Sequence, residues 1–182
     1  NKKRIRVFVP LGMKTFFTDK GYSQVYELDW HESTTTCGVK LVALPAVHYS
    51  GRGLFDKNET LWCSWAIQTE SGNYYFSGDT AYSPTIFKQI GQDQGPFDLS
   101  MMTIGTYGNR KYGINNHANP EEAIIMGKEI GTDISVGMHW GTLDLSEEPA
   151  WEPPERFQKA AAKAGVARDK TWLMKIGETR EI

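Results

Sequence analysis

The 182 residues correspond to one domain, or a large piece of one, on a scale of roughly 100–200 residues per domain. With 40% hydrophobic, 12% aromatic and 23% charged residues, the chain can bury a sizeable core, which excludes disorder for its bulk. A net charge of −2 supplies no overall field for polyanions, so nucleic acid is not an expected partner. Cys37 and Cys63 are too few for a disulfide scaffold and form no C-x-x-C pair, so a reducing, cytoplasmic setting is expected. No apolar run approaches the roughly 18 residues of a membrane-spanning helix. Peripheral contact with a membrane, and a homo-oligomer, remain open.

In chain order, Arg4 to Val9 alternates as a strand, and Pro10-Leu11-Gly12 turns into a short amphipathic helix ending near Gly21. Gln24 to Leu28 predicts a second strand, Asp29 to Thr36 a polar stretch, and Val39 to Leu44 a third strand closed by Pro45. A loop rich in Gly, Asp and Asn runs from Tyr49 to Thr60 and leads into the aromatic strand Leu61 to Gln68. Ser71-Gly72-Asn73 predicts a hairpin turn, Tyr74 to Ser77 the returning strand, and Pro84 to Ile90 a helix. Leu99 to Ile104 is a continuous apolar run that suits a buried central strand. Asn119-Pro120-Glu121-Glu122 starts a helix: Asn caps, Pro occupies the first helical position, and the acids meet the positive helix end. That helix should end near Gly131, followed by a buried strand Ile134 to Met138, a helix Pro154 to Ala164 and a last strand Thr171 to Ile176. Strands and helices are mixed throughout, with no repeat and no linker. The expected fold class is therefore α/β with a mixed sheet over one shared core.

The chain has 4 histidines. His48 and His139 follow apolar strands, and Asp79 follows Tyr74-Tyr75-Phe76-Ser77 across Gly78. Imidazole and carboxylate delivered to one sheet edge suit zinc, iron or manganese. The alternative from spacing alone is a structural or pH-sensitive histidine pair. His31, in Asp29-Trp30-His31-Glu32, reads as a solvated strand-end residue. The aromatic residues Trp62, Trp65, Tyr74, Tyr75 and Phe76 read as core packing on paired strands. Neither cysteine has a basic neighbour in sequence that would activate a thiolate.

The stretches Pro45-Ala46-Val47-His48-Tyr49-Ser50-Gly51-Arg52-Gly53-Leu54-Phe55-Asp56, Leu61-Trp62-Cys63-Ser64-Trp65 and Phe76-Ser77-Gly78-Asp79-Thr80 follow one another in the chain. They are followed by Gly95-Pro96-Phe97-Asp98-Leu99, His117-Ala118-Asn119-Pro120-Glu121-Glu122-Ala123 and Met138-His139-Trp140-Gly141-Thr142. Together, from about residue 7 to Arg180, they resemble the metallo-β-lactamase-fold hydrolases of the N-acyl-phosphatidylethanolamine-hydrolysing phospholipase D type and their bacterial relatives. The resemblance implies a four-layer αβ/βα sandwich with a two-metal site, zinc first and iron or manganese as alternatives, at one edge of the paired sheets. In it His48, Asp79 and His139 match metal ligands, with Asp79 bridging both ions and a shared hydroxide as nucleophile. The implied activity is hydrolysis of a phospholipid or small-molecule phosphodiester. A lactonase or nuclease of the same fold is the alternative within the enzyme class, and a metal-free binding or interaction remnant the alternative outside it.

His117 matches a histidine near the family's active-site mouth, where it would bind substrate phosphate or protonate the leaving group; a loop histidine beside a helix cap is the other reading. Arg52 is a candidate for bidentate phosphate recognition or a surface ion pair. Tyr107 and Tyr112 flank a Gly/Asn loop and are candidates for a substrate groove. The family's His-x-His-x-Asp-His motif does not occur in these residues. The chain, residues 1–182, is accordingly expected to be a single partial domain, the C-terminal portion of a sandwich incomplete at its N-terminus and inactive by itself.

Overall fold

The computed structural model describes residues 1–109 and 115–182. Two sheets form. Strands β1 (Arg6–Pro10) and β2 (Gln24–Leu28) pair in parallel around the short helix α1 (Lys14–Thr18). Their own small core is Val9, Met13 and Val25. The larger sheet has the order β3-β4-β5-β6-β7-β8-β9. Its strands are β3 (Ser33–Thr36), β4 (Val39–Leu44), β5 (Ser64–Gln68), β6 (Asn73–Phe76), β7 (Phe97–Thr103), β8 (Thr132–Met138) and β9 (Thr171–Trp172). Pairing is antiparallel from β3 to β6 and parallel from β6 to β9.

Strand β3 lies in the stretch whose composition reads as a polar loop. Its threonines are β-branched and suit a pleated surface although they are polar. The turn that pairs it with β4 is Cys37-Gly38, with φ of 49° and 77°. Two consecutive positive φ values match the right-handed twist of a tight hairpin. The last strand is shorter than its apolar run, ending at Trp172.

The register explains the layering. Val42, Ala66, Tyr75, Ser100, Ser135 and Thr171 are successive partners across the sheet, and all are buried. Helices α2 (Pro84–Gln94), α3 (Pro120–Glu129) and α4 (Glu152–Lys163) share one core with this face through Phe87, Ile90, Met126, Ile130 and Phe157. Close approach needs small residues: a Cβ on Gly127 of α3 would lie 2.9 Å from Ser135 Oγ. The opposite face carries the row Ala43, Trp65, Phe76, Met101, Val136 and Trp172, of which all but Ala43 are only partly covered. Of the aromatic cluster, Tyr75 is fully core, while Trp62 stacks edge-on against Trp30 and donates its indole N–H to Ala46 O.

Helix α3 begins as its sequence dictates. Asn119 Oδ1 accepts from Glu122 N–H and Glu122 Oε2 accepts from Asn119 N–H, a capping box with Pro120 at the first position. Among the described residues no helix is long and apolar enough to cross a membrane.

Candidate metal centre

The pairing pattern makes β4, β6, β7 and β8 run in the same direction, so the chain leaves all four at one edge. His48 follows β4, Asp79 follows β6, Thr106 follows β7 and His139 follows β8 directly. His117 reaches the same edge just before α3. The carboxyl edge of a sheet is where successive loops converge on a ligand.

His48 Nε2 lies 3.4 Å from His117 Nε2, and His139 Nε2 lies 3.3 Å from Asp79 Oδ1. One donor atom each of His48, Asp79 and His117 falls within 4.8 Å of the others. The His117 ring stands between the other two, its centroid 5.1 Å from both His48 and His139. Four side chains that the sequence singles out therefore share one place.

Their donors are oriented. Tyr49 O can only accept, so the 2.8 Å contact to His48 Nδ1 puts the proton on Nδ1. In that tautomer Nε2 is the nitrogen that carries the lone pair, and it faces His117. Ligands about 2.0–2.1 Å from a tetrahedral zinc stand about 3.3 Å apart, the separation found in both the His48–His117 and His139–Asp79 pairs. Imidazole and carboxylate at that spacing fit a transition metal.

The electrostatics are asymmetric. Burial holds His117 down to about 4, against the upward pull of Asp79 and with further lowering from His139 and His48. The ring is neutral at pH 7. The hydrogen bond with Asp79 raises His139 above its ordinary value against the cost of burial, and the same bond lowers Asp79. Burial pushes the Cys63 thiol up to about 12, which removes it as a nucleophile.

Backbone constraints place these groups. Gly78 has φ of +57° immediately before Asp79, and a Cβ there would stand 3.0 Å from Cys63 O. His139 itself has φ of 61°, and Thr106 φ of 65°, an uncommon state for a β-branched residue. Glu148 accepts hydrogen bonds from Thr106 N–H and Gly108 N–H, which fixes that turn, and Thr106 Oγ1 lies 3.3 Å from His139 Nδ1.

Thr80, fully buried, joins three of the segments. Its Oγ1 accepts from Val47 N–H, donates to Ala81 O, and its carbonyl accepts from Ala118 N–H. It thus braces the neighbours of His48, Asp79 and His117. Sequence reasoning passed over it; its position directly after Gly78-Asp79 was the available signal. Replacing Thr80 with Val keeps the shape and leaves Val47 N–H without its acceptor. The expected cost is about 1–3 kcal/mol, read by thermal melting, with weaker metal binding.

The remaining candidates fall differently. Arg52 reaches the cavity of about 520 Å³ that also touches His48 and Asp79, with its guanidinium over the Phe16 ring at 5.0 Å. Tyr107, expected at a substrate groove, is buried instead. Its hydroxyl donates to Glu152 Oε1 at 2.8 Å and Arg156 covers its ring at 4.7 Å, so it anchors α4. Tyr112 lies outside the described residues. His31 is exposed at the turn before β3, with its N–H donated to Ala43 O.

A mixed sheet with a histidine and carboxylate cluster at its carboxyl edge defines a metallo-hydrolase type of fold. Residues 2–140 match the β-lactamase superfamily domain, and the chain belongs to that family. It is 41% identical over 164 residues to an uncharacterized protein of Mycobacterium tuberculosis, covering 87% of this chain and 43% of that protein. It is 37% identical over 166 residues to the N-acyl-phosphatidylethanolamine-hydrolyzing phospholipase D 1 of Caenorhabditis elegans, covering 86% of this chain and 47% of that protein. The chain spans about half the length of these curated relatives. Among solved structures, a metallo hydrolase of the archaeon Ignicoccus hospitalis superposes with a TM-score of 0.71 at 21% identity, over 95% of this chain and 66% of that one. The diiron β-hydroxylase CmlA of Streptomyces venezuelae gives 0.69 at 17% identity, over 93% and 38%.

Proposed function

We propose that the residues at this edge belong to a metal-dependent phosphodiesterase of the phospholipase D type, acting on a phospholipid or small phosphodiester. The observation that carries it is the convergence of His48, Asp79, His117 and His139 at metal-ligand separations. The phospholipase activity for which the C. elegans relative is named supports the substrate class. Zinc suits the donor set, and a diiron neighbour of the same fold keeps iron in view.

In this account His48, Asp79 and His139 hold metal. A bound metal supplies Lewis acidity and makes water acidic enough to act near neutral pH. His48 is kept in the useful tautomer by Tyr49 O, and Asp79 balances the charge gathered at the edge. His117, neutral at pH 7, offers a ring N–H to a phosphoryl or leaving oxygen. Arg52, on the wall of the same cavity, is placed to meet the remaining phosphate charge. A pair of metals needs more donors than these four side chains offer. We assign the rest to residues beyond this sequence, so that this chain is one portion of a sandwich and is inactive alone. The 3.4 Å His48–His117 separation favours a second arrangement in which His117 is itself a ligand. His117→Ala separates the two: metal content is kept with lost turnover in the first, and falls in the second.

The test is hydrolysis of a phosphatidylethanolamine and of a soluble phosphodiester by the whole-length protein loaded with zinc, iron or manganese. Turnover of either with metal, and its loss on chelation, is expected; hydrolysis of lactones alone would overturn the assignment. Metal uptake should also depend on pH with a definite sign. His139 is raised above the ordinary histidine value, so below that raised value a proton occupies the nitrogen the metal needs. Affinity should therefore rise with pH through and above about 6.5, by up to roughly tenfold per unit, with proton release on zinc addition. His117, already neutral, adds nothing to this slope near pH 7.

A further inference from the structure

Residues 49–60 leave the metal edge as a closed loop. Its neck is tied by Asn58 N–H to Ser50 O at 2.8 Å, Ser50 N–H to Asn58 Oδ1 at 3.2 Å and Ser50 O–H to Thr60 O at 2.5 Å. Its tip is shaped by Asp56, whose carboxylate accepts from Arg52 N–H at 2.9 Å and Gly53 N–H at 2.7 Å. Those N–H groups hold the Asp56 carboxyl below its usual range. The tip is thus formed without Leu54 or Phe55, and both side chains are 92% exposed. Adjacent large apolar side chains, held out almost fully exposed by a hydrogen-bonded turn, call for an apolar surface from outside.

The surroundings say which. Lys57 Nζ lies over the Tyr49 ring at 6.0 Å, and Lys20 Nζ and the Arg52 guanidinium lie over Phe16 at 4.4 and 5.0 Å. Tyr49 and Phe16 are themselves exposed. Asp56 is turned onto its own backbone, which leaves Glu59 against Arg52 and Lys57 within the loop. An apolar tip ringed by aromatic residues and cations matches the layering of an anionic lipid surface, with acyl chains inside and headgroup charge around them. The base of the same loop, with Phe17, Trp62 and Trp65, walls the cavity of about 520 Å³ that reaches His48 and Asp79.

We propose that the Leu54–Phe55 tip is an interfacial anchor that inserts into an anionic lipid surface and sets the mouth of the His48–Asp79 cavity against it. Its purpose rests on the phospholipid substrate proposed above; the binding itself does not.

The test is flotation of the protein with vesicles of phosphatidylcholine, with and without phosphatidylglycerol. Binding to the anionic vesicles, weakened by salt, is expected. Leu54→Ser with Phe55→Ser should lower the partition by about tenfold or more. The melting curve should not change, because both side chains are almost fully exposed. Lys20→Gln with Lys57→Gln should remove the preference for phosphatidylglycerol, whereas Ile176→Ser, at an equally exposed site away from this loop, should bind as the parent does. In the whole-length protein, hydrolysis of a soluble phosphodiester should be unchanged by the Leu54/Phe55 substitutions. Vesicle binding by the whole-length, metal-loaded protein without any phosphodiester hydrolysis would leave the anchor standing and remove the substrate assignment. The anchor is overturned if the double variant floats as well as the parent. It is equally overturned if the tip substitutions change the sedimentation coefficient in the absence of lipid, which would place the tip between copies of this chain.

Discussion

Asp79→Asn is expected to lower metal affinity by at least about 100-fold. Asparagine keeps the volume of the side chain and removes the carboxylate charge that acts most strongly on His117 and His139. Because Asp79 is what lifts His139, through a hydrogen bond and then through charge, the variant should titrate His139 at a lower pH in the metal-free protein. His117 should fall further, since Asp79 is the largest upward influence on it, ahead of Glu148. Nuclear magnetic resonance titration of the histidine rings reads both shifts, and equilibrium dialysis reads the metal. Stability should change by less than about 1 kcal/mol, because the Asp79–His139 pair is partly open to water. Unchanged zinc affinity in this variant would place the metal elsewhere.

The second large effect concerns backbone rather than donors. A Cβ on Gly105 would stand 2.2 Å from His139 O and 3.2 Å from His139 C. Gly105→Ala therefore pushes on the residue that carries the donor, and its neighbours Thr106 and His139 already hold positive φ. The expected cost is about 1–3 kcal/mol, together with weaker zinc binding. Gly91→Ala provides the comparison. Its Cβ would meet Glu129 O at the same 2.2 Å, between α2 and α3 and away from the metal edge. Both variants should melt earlier, and only Gly105→Ala should lose metal. Equal loss of metal in both would mean that general loosening, and not the placement of His139, controls the site.

These expectations show which parts of the molecule the amino-acid order carries openly. Strands β2 and β4 follow from short alternating or apolar runs bounded by turn residues, and the α3 capping box is spelled out by Asn119-Pro120-Glu121-Glu122. Local chemistry decides such elements. Strand β3 was hidden because Ser33-Thr34-Thr35-Thr36 is polar. What makes it a strand is pairing with β4 across Cys37-Gly38, which composition does not report. The burial of Tyr107 was hidden for a related reason. A tyrosine in a Gly/Asn loop looks available to a ligand, whereas Glu152 and Arg156, far along the chain, claim its hydroxyl and its ring.

The site divides in the same way. His48, Asp79 and His139 could be named as ligand types at strand ends, but nothing in periodicity brings the three to one edge. That follows from strand direction, set by the antiparallel β4-β5-β6 and the parallel β6-β7-β8 pairings. The braces were invisible for the same reason. Thr80 and Glu148 act through backbone N–H groups of distant segments, and such partners carry no residue-type signature. The partly covered row of Trp65, Phe76, Met101 and Val136 agrees with a sheet whose sequence is apolar on both faces.

X-ray absorption at the zinc edge of the zinc-loaded protein tests the central claim most directly. The account predicts a first shell of nitrogen and oxygen at about 2.0–2.1 Å with imidazole outer scattering, lost in Asp79→Asn. A sulfur shell at about 2.3 Å, pointing to Cys37 or Cys63, or a failure of the whole-length protein to retain zinc, iron or manganese, would contradict it.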